Sequence, residues 1–313
     1  MNAKTKPIEL HIRHAVAGRF KIEAHRVDQN GDEIPGSRRL AADWFNNLIV
    51  NAGLNYMGSS DGYLTNCLVG SGSSDPQPTD TQLQTRVAST TTTNETTYGS
   101  NVSPRYGWKR ITFRFAAGAA AGNLSEVGVG WSSTAVFSRA RILDGAGNPT
   151  TITVLSDEVL DVTYEFRAYI NEADINFDVT ISGTTYACVM RPANVNGSNL
   201  GFQLGNAVTV NANNRASGAR LFETNVLGTP SSAPGGVGQG GTFVNSAYAA
   251  DSFARGHVLT FGLNVGNFPT GAGAITVSNT FCDYQTSFTP KIPKDATNVL
   301  TLQVRSTWGR HVP

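Results

Sequence analysis

WKRITFRF, residues 108–115, decides the fold class. Trp108, Arg110, Thr112 and Arg114 alternate with Lys109, Ile111, Phe113 and Phe115. A period of two places each set on its own face of a β-strand. Outward from there come LSEVGVGW at 124–131, VFSRARIL at 136–143, TITVL at 151–155 and LDVTYEFRA at 160–168, divided by turns containing Gly or Asn. Short strands at such regular spacing indicate an antiparallel sandwich or barrel. In the last of them Val162, Tyr164 and Phe166 line one face. Asp161, Thr163, Glu165 and Arg167 line the other, which reads as the wet side of a sheet.

Towards the start, Phe20, Ile22, Ala24 and Val27 alternate into a DQNG turn at 28–31. Residues 43–57 predict the one long helix: Asp43 is a plausible N-cap, and Trp44, Phe45, Leu48, Ile49, Ala52 and Met57 recur at helical spacing. Gly53 weakens its last turn and Gly58 stops it. A short strand follows at 64–69, then a polar loop at 73–80, and 81–87 is a helical turn or a short strand. Residues 88–103, rich in Thr, Asn and Ser, read as either an exposed strand pair or a flexible arm.

Beyond residue 168, stretches 175–181 and 186–190 form a hairpin closed at Ser182-Gly183. Residues 194–254 are mostly Gly, Asn, Ser and Ala, and GTPSSAPGGVGQGG at 228–241 is the most linker-like piece, a hinge or a long loop reaching to a neighbour. Strands return at 258–265, 274–277, 286–288 and 299–305. The expected organisation is an N-terminal β-sandwich domain over 1–193 carrying the helix 43–57, a loop or linker over 194–241, and a C-terminal β region over 242–313. That last region is a second sandwich or completes the first. The fold class is mainly β, sandwich or jelly-roll-like, with one N-terminal amphipathic helix. An internal echo points to duplication: RITFRF at 110–115 parallels VLTFGL at 258–263, and EVLDV at 158–162 parallels NVLTL at 298–302.

The bulk numbers narrow the partners. The chain has 313 residues, of which 40% are hydrophobic and only 15% charged, against roughly 25% charged in an ordinary domain. A surface with so few charges is covered by partners or made soluble by Ser, Thr and Asn. The net charge of +1 gives no general attraction for nucleic acid. No apolar run approaches the roughly 18 residues of a membrane span, and MNAKTKPIELHIRH lacks the apolar core of a signal peptide. Cys67, Cys188 and Cys282 form no metal-binding spacing and read as buried, reduced thiols.

Little in the sequence promises chemistry. Asp157, Glu158, Asp161 and Glu165 form the densest acidic cluster, but Asp161 and Glu165 on one strand stand about 13 Å apart at roughly 3.3 Å per residue, too far for a retaining glycosidase pair. They read as solvated surface charge. His11, His14, His25, His257 and His311 show no metal-ligand pattern, and GxSxG, P-loop and complete dinucleotide motifs are missing. Glu126, in an otherwise apolar strand, is either exposed by alternation or paired with Arg139 or Arg141 on the next strand. No catalytic, cofactor-binding or metal residue is assigned, and no cofactor is expected.

Two stretches carry a resemblance. WFNNLIVNAGLNYMG at 44–58 with LVGSGSSDPQPTDTQLQTRV at 68–87 resembles an "F-x-NLI-x-x-AGL … VG-x-G … DT-x-L" pattern of tail-associated proteins of tailed bacteriophages. GNLSEVGVGWSSTAVFSRARILDGAGNPTTITVLSDEVLDVTYEFR at 122–167 is similar to a "GN-x-SE-x-G … F-x-RA … GNP-x-T-I" segment of tail-fibre and baseplate-type proteins. Together they span about residues 20–170. The resemblance implies a non-enzymatic structural component of a virion assembled in the host cytoplasm. It would be a tail, baseplate or fibre-attachment subunit whose partners are copies of itself and other virion proteins, with no membrane insertion. The alternatives are a head decoration or collar protein, and a receptor-binding module that stacks a host surface glycan on Tyr98, Tyr106, Trp108 or Tyr248. From about residue 171 onward only the β character is familiar, and no long repetitive shaft follows, which favours a compact subunit.

Overall fold

The alternation read from WKRITFRF is kept in strand β7 (Arg105–Phe115), where Ile111, Phe113 and Phe115 are buried and Arg110, Thr112 and Arg114 are half-buried on the opposite face. The computed structural model describes residues 9–60, 62–195, 218–278 and 282–312, and it is mainly β. Two compact units emerge. Unit 1 holds Met1–Ala15, Gly99–Gly107 and Ala168–Gly309, and unit 2 holds Val16–Tyr98, Trp108–Arg167 and Arg310–Pro313.

Unit 2 is a pair of sheets. In one, β6 (Thr93–Val102), β7, β12 (Glu158–Tyr169) and β1 (Glu9–Arg26) lie in that order, and β2 (Arg39–Asn46) pairs with β1. The other has the order β3 (Leu48–Ile49), β10 (Ser138–Arg141), β9 (Glu126–Gly130), β4 (Asn66–Gly70) and β5 (Arg86–Thr90). A small ladder joins β8 (Gly122–Leu124) to β11 (Ile152–Val154). Aromatic rings fill the core: Phe20 lies 4.8 Å from Tyr164, and Tyr63, Phe137 and Phe166 pack on one another at 4.9–6.0 Å. Such contacts favour the tilted and edge-on geometries seen here.

In unit 1 the six-stranded sheet runs β13 (Ile175–Ile181), β14 (Thr184–Pro192), β20 (Tyr284–Ile292), β19 (Ala272–Val277), β15 (Ala219–Phe222) and β16 (Gln239–Gly240). Strands β17 (Thr242–Asn245), β18 (Ala254–Phe261) and β21 (Leu300–Arg310) are also paired in that order. Ser182 and Gly183, both at positive φ, close the β13–β14 hairpin where the sequence places it. Of the echoed segments, 110–115 and 158–162 lie on the neighbouring strands β7 and β12, while 258–261 and 300–302 lie on the neighbouring strands β18 and β21.

The stretch at 228–241 is tied to its own unit. Fully buried Gln285 takes the Gly228 N–H on its Oε1 at 2.8 Å and shares its Nε2 hydrogens among the carbonyls of Pro192, Gly228, Thr229 and Ser232 at 2.9–3.1 Å. Further on, β16 pairs with β15. Much of the preceding Asn- and Gly-rich run, 196–217, lies outside the described residues.

The amphipathic helix expected over 43–57 is a misreading. Asp43, Trp44 and Phe45 belong to β2, Leu48 and Ile49 to β3, and only a seven-residue helix, α1 (Asn51–Met57), follows. The cause is an irregular register: Phe20 pairs with Phe45 but Ile22 with Ala42, so three steps along β2 match two along β1. A bulge of this kind spaces buried residues as a helix would. The stretch 88–103, readable as a strand pair or a flexible arm, holds most of the strands β5 (Arg86–Thr90) and β6.

One buried ionic knot draws distant parts of unit 2 together. Glu126, fully buried on β9, accepts the N–H groups of Gly72, Gln84 and Thr85 at 3.0, 3.0 and 2.7 Å and the Nε–H of Arg139 at 2.9 Å. Arg139 also donates to Asp80 at 2.6 Å and to the Ser74 carbonyl and hydroxyl at 2.9 Å. At Gly70 and Gly72 a Cβ would collide with the Glu126 carboxylate. Of the two readings open for Glu126, the pairing with Arg139 holds, and in register Glu126 faces Arg141. Removing one partner of a buried pair strands the other charge. Arg139→Met is therefore expected to lower the unfolding free energy in denaturant titration by about 3–5 kcal/mol. A loss below about 1 kcal/mol would show the pair to be dispensable.

Candidate functional site

The second face of β12 is not the wet surface that its alternation suggests. Glu158, Asp161 and Glu165 are 4%, 3% and 1% exposed. Long arginine stems from neighbouring strands roof them over. Glu165 accepts from Arg19 at 2.9 Å, Arg110 at 2.5 Å and Arg167 at 2.6 Å. Asp161 accepts a two-pronged contact from Arg114 at 2.7 Å on each prong and a third bond from Arg38 at 3.3 Å. Arg39 grips Glu158 at 2.9 and 2.8 Å. Asp157 stays exposed, 3.0 Å from Arg26. The expectation of solvated carboxylates is thus corrected, because arginine supply from β1 and β7 is invisible within the β12 segment.

Electrostatics follow the geometry. Burial raises the carboxyls of Asp161 and Glu165, but the arginine hydrogen bonds outweigh it and leave both below the usual carboxylate range. The Arg39 bond pulls Glu158 down to about 2. All three are locked as anions, a poor state for a general acid.

Two tryptophans stand on this charged layer. Arg19 lies 4.2 Å from the Trp44 ring centroid, and Arg110 lies 4.3 Å from that of Trp108 and 5.4 Å from that of Trp44. Above them the sheet is hollowed into a groove of about 610 Å³. Trp44, Trp108, Thr112 and Thr163 line it, and Asn94 and Thr97 on β6 form a wall. Of the aromatics singled out in sequence, Trp108 therefore lines a groove. Tyr98 is exposed on β6, whereas Tyr106 packs on Tyr169 at 5.0 Å and Tyr248 on Trp308 at 5.7 Å within unit 1. Sequence reading missed Trp44 because it was counted as a helix residue.

Cys67, Cys188 and Cys282 are free and buried, and burial pushes the Cys188 thiol up to about 12. His14 meets Tyr284 edge-on at 6.0 Å, and His25 sits 3.6 Å from Asp161 with its pKa lowered by burial and by Arg38. No cluster of three His, Cys, Asp or Glu among the described residues is arranged to hold a metal ion. No helix among them is long and apolar enough to cross a membrane. No protein family matches the chain, and neither does a curated protein or a solved structure.

His257 supplies a pH test. It is 5% exposed, with Nδ1 2.6 Å from the Asn245 amide oxygen, and burial lowers its pKa to about 4. The unfolded chain takes up that proton near 6.5, the folded chain only near 4. The stability tied to neutral His257 is whole above that upper value and drains as pH falls through the interval. His257→Gln is expected to remove roughly 3 kcal/mol of the acid sensitivity, read from urea midpoints at neutral and mildly acid pH. An unaltered pH profile would contradict this.

Proposed function

We propose that this chain is a structural, non-enzymatic subunit of a tailed-phage particle, a tail, baseplate or fibre-attachment component that works by assembly with copies of itself and other virion proteins. One observation carries the reading. The two stretches whose sequences resemble phage tail proteins supply the two halves of a single buried device: Gly70, Gly72, Asp80, Gln84 and Thr85 come from the first, and Glu126 and Arg139 from the second. Residues of the two resembling stretches hold one another, which supports the reading. The most carboxylate-rich place in the chain supports the non-enzymatic part, since its acids are spent on arginines. Two sheet-built units with polar loops suit a subunit that gains stability from many repeated interfaces.

Mass spectrometry and gold-labelled antibody on gradient-purified particles from the encoding host test the proposal. Several copies per particle, with label at the tail end, are expected. Absence of the chain from particles that carry all their other proteins would overturn it.

A further inference from the structure

The groove above the arginine layer of unit 2 has a chemistry of its own, separate from the question of which particle the chain builds. It draws side chains from five strands: Trp44 of β2, Lys21 and Glu23 of β1, Thr163 of β12, the Trp108 to Thr112 row of β7, and the start of β6. Its volume, about 610 Å³, lies within the range of small-ligand sites, roughly 300–1,000 Å³. The question is which ligand it fits.

All but one of its charges are already satisfied, the exception being Glu95 of β6, which is exposed on the lining and makes no ion pair among the described residues. Lys21 is 3.1 Å from Glu23, Arg110 is 2.5 Å from Glu165, and Arg38 is held by both Glu33 and Asp161. A phosphate, sulfate or carboxylate ligand would have to displace a carboxylate from a guanidinium that holds it and would be repelled by Glu95. What remains for a ligand is aromatic surface, uncharged polar groups and the Glu95 carboxylate, which can accept hydrogen bonds from hydroxyls. Trp44 and Trp108 are half-buried, and Arg110, packed against both rings, sets their positions. Asn94 and Thr97 lie on the exposed stretch of β6. Thr112 and Thr163 place two hydroxyls 2.9 Å apart beneath them. Hydroxyl and amide groups both donate and accept, as sugar hydroxyls do, and indole rings present flat surface to the C–H faces of sugar rings.

We infer that this groove binds an uncharged, extended oligosaccharide, with Trp44 and Trp108 as stacking platforms and Asn94, Thr97 and Thr112 as partners for its hydroxyls. The full chain on a printed array of neutral, sialylated and sulfated glycans tests this. Binding to neutral glycans is expected, unchanged by added salt because no ion pair is formed. Trp108→Ala should weaken it about tenfold, one stacked ring being worth that order. Thr97→Arg, on an exposed strand, should weaken it similarly by laying a long side chain across the groove. Three results would each overturn the inference: no neutral glycan retained, neutral binding that both variants leave intact, or a preference for sulfated glycans that fades with salt.

Discussion

Unit 2 depends on one charge held away from water. Glu126 is fully buried, and an isolated carboxylate there would be prohibitively costly, so everything around it is arranged to answer it. Three backbone N–H groups and one arginine do so. Three of its contacts come from segments 41–54 residues earlier in the chain, and Arg139 comes from the adjacent strand. Because Gly70 and Gly72 must pass against the carboxylate without a Cβ, the path of the chain leaving β4 is determined at the same point. Leu83 is then carried into the cluster with Val50, Leu68 and Val136. Polar satisfaction and apolar packing here are one event.

The legibility of the sequence follows from how local each signal is. Alternation in β7 and β12 and the Ser182-Gly183 turn are written in consecutive residues, and each was found where it stands. The assigned faces of β12 were also right as directions: Val162, Tyr164 and Phe166 are buried inside. What failed was the step from direction to solvent. Whether Asp161 meets water depends on Arg114 of a neighbouring strand and on Arg38 of a loop, partners 47 and 123 residues away. The helix read into 43–57 failed for a related reason. Ala42 and Phe45 are buried three positions apart because β1 and β2 slip in register, and only the pairing reveals the slip. Trp44 was lost from the candidate site by that error alone.

The candidate groove and the assembly reading draw on different features of the same sheet. Its inner face, with Phe20, Tyr164 and Phe166, makes the sandwich. Its outer face is charged but largely closed in upon itself, with Glu158, Asp161 and Glu165 each answered by arginines of this chain. A surface so neutralised offers little long-range attraction, and recognition there falls to shape and to groups that act at contact distance.

The grip of Gln285 on the loop at 228–232 has a consequence for how this protein can change. Every atom it holds in that loop, the N–H of Gly228 and the carbonyls of Gly228, Thr229 and Ser232, belongs to the main chain. Such a clasp is blind to side-chain identity. The exposed side chain of Ser231 can therefore vary while the main-chain clasp is kept, whereas Gly228 must stay a glycine, because a Cβ there would strike the carbonyls of Ser232 and Ala233.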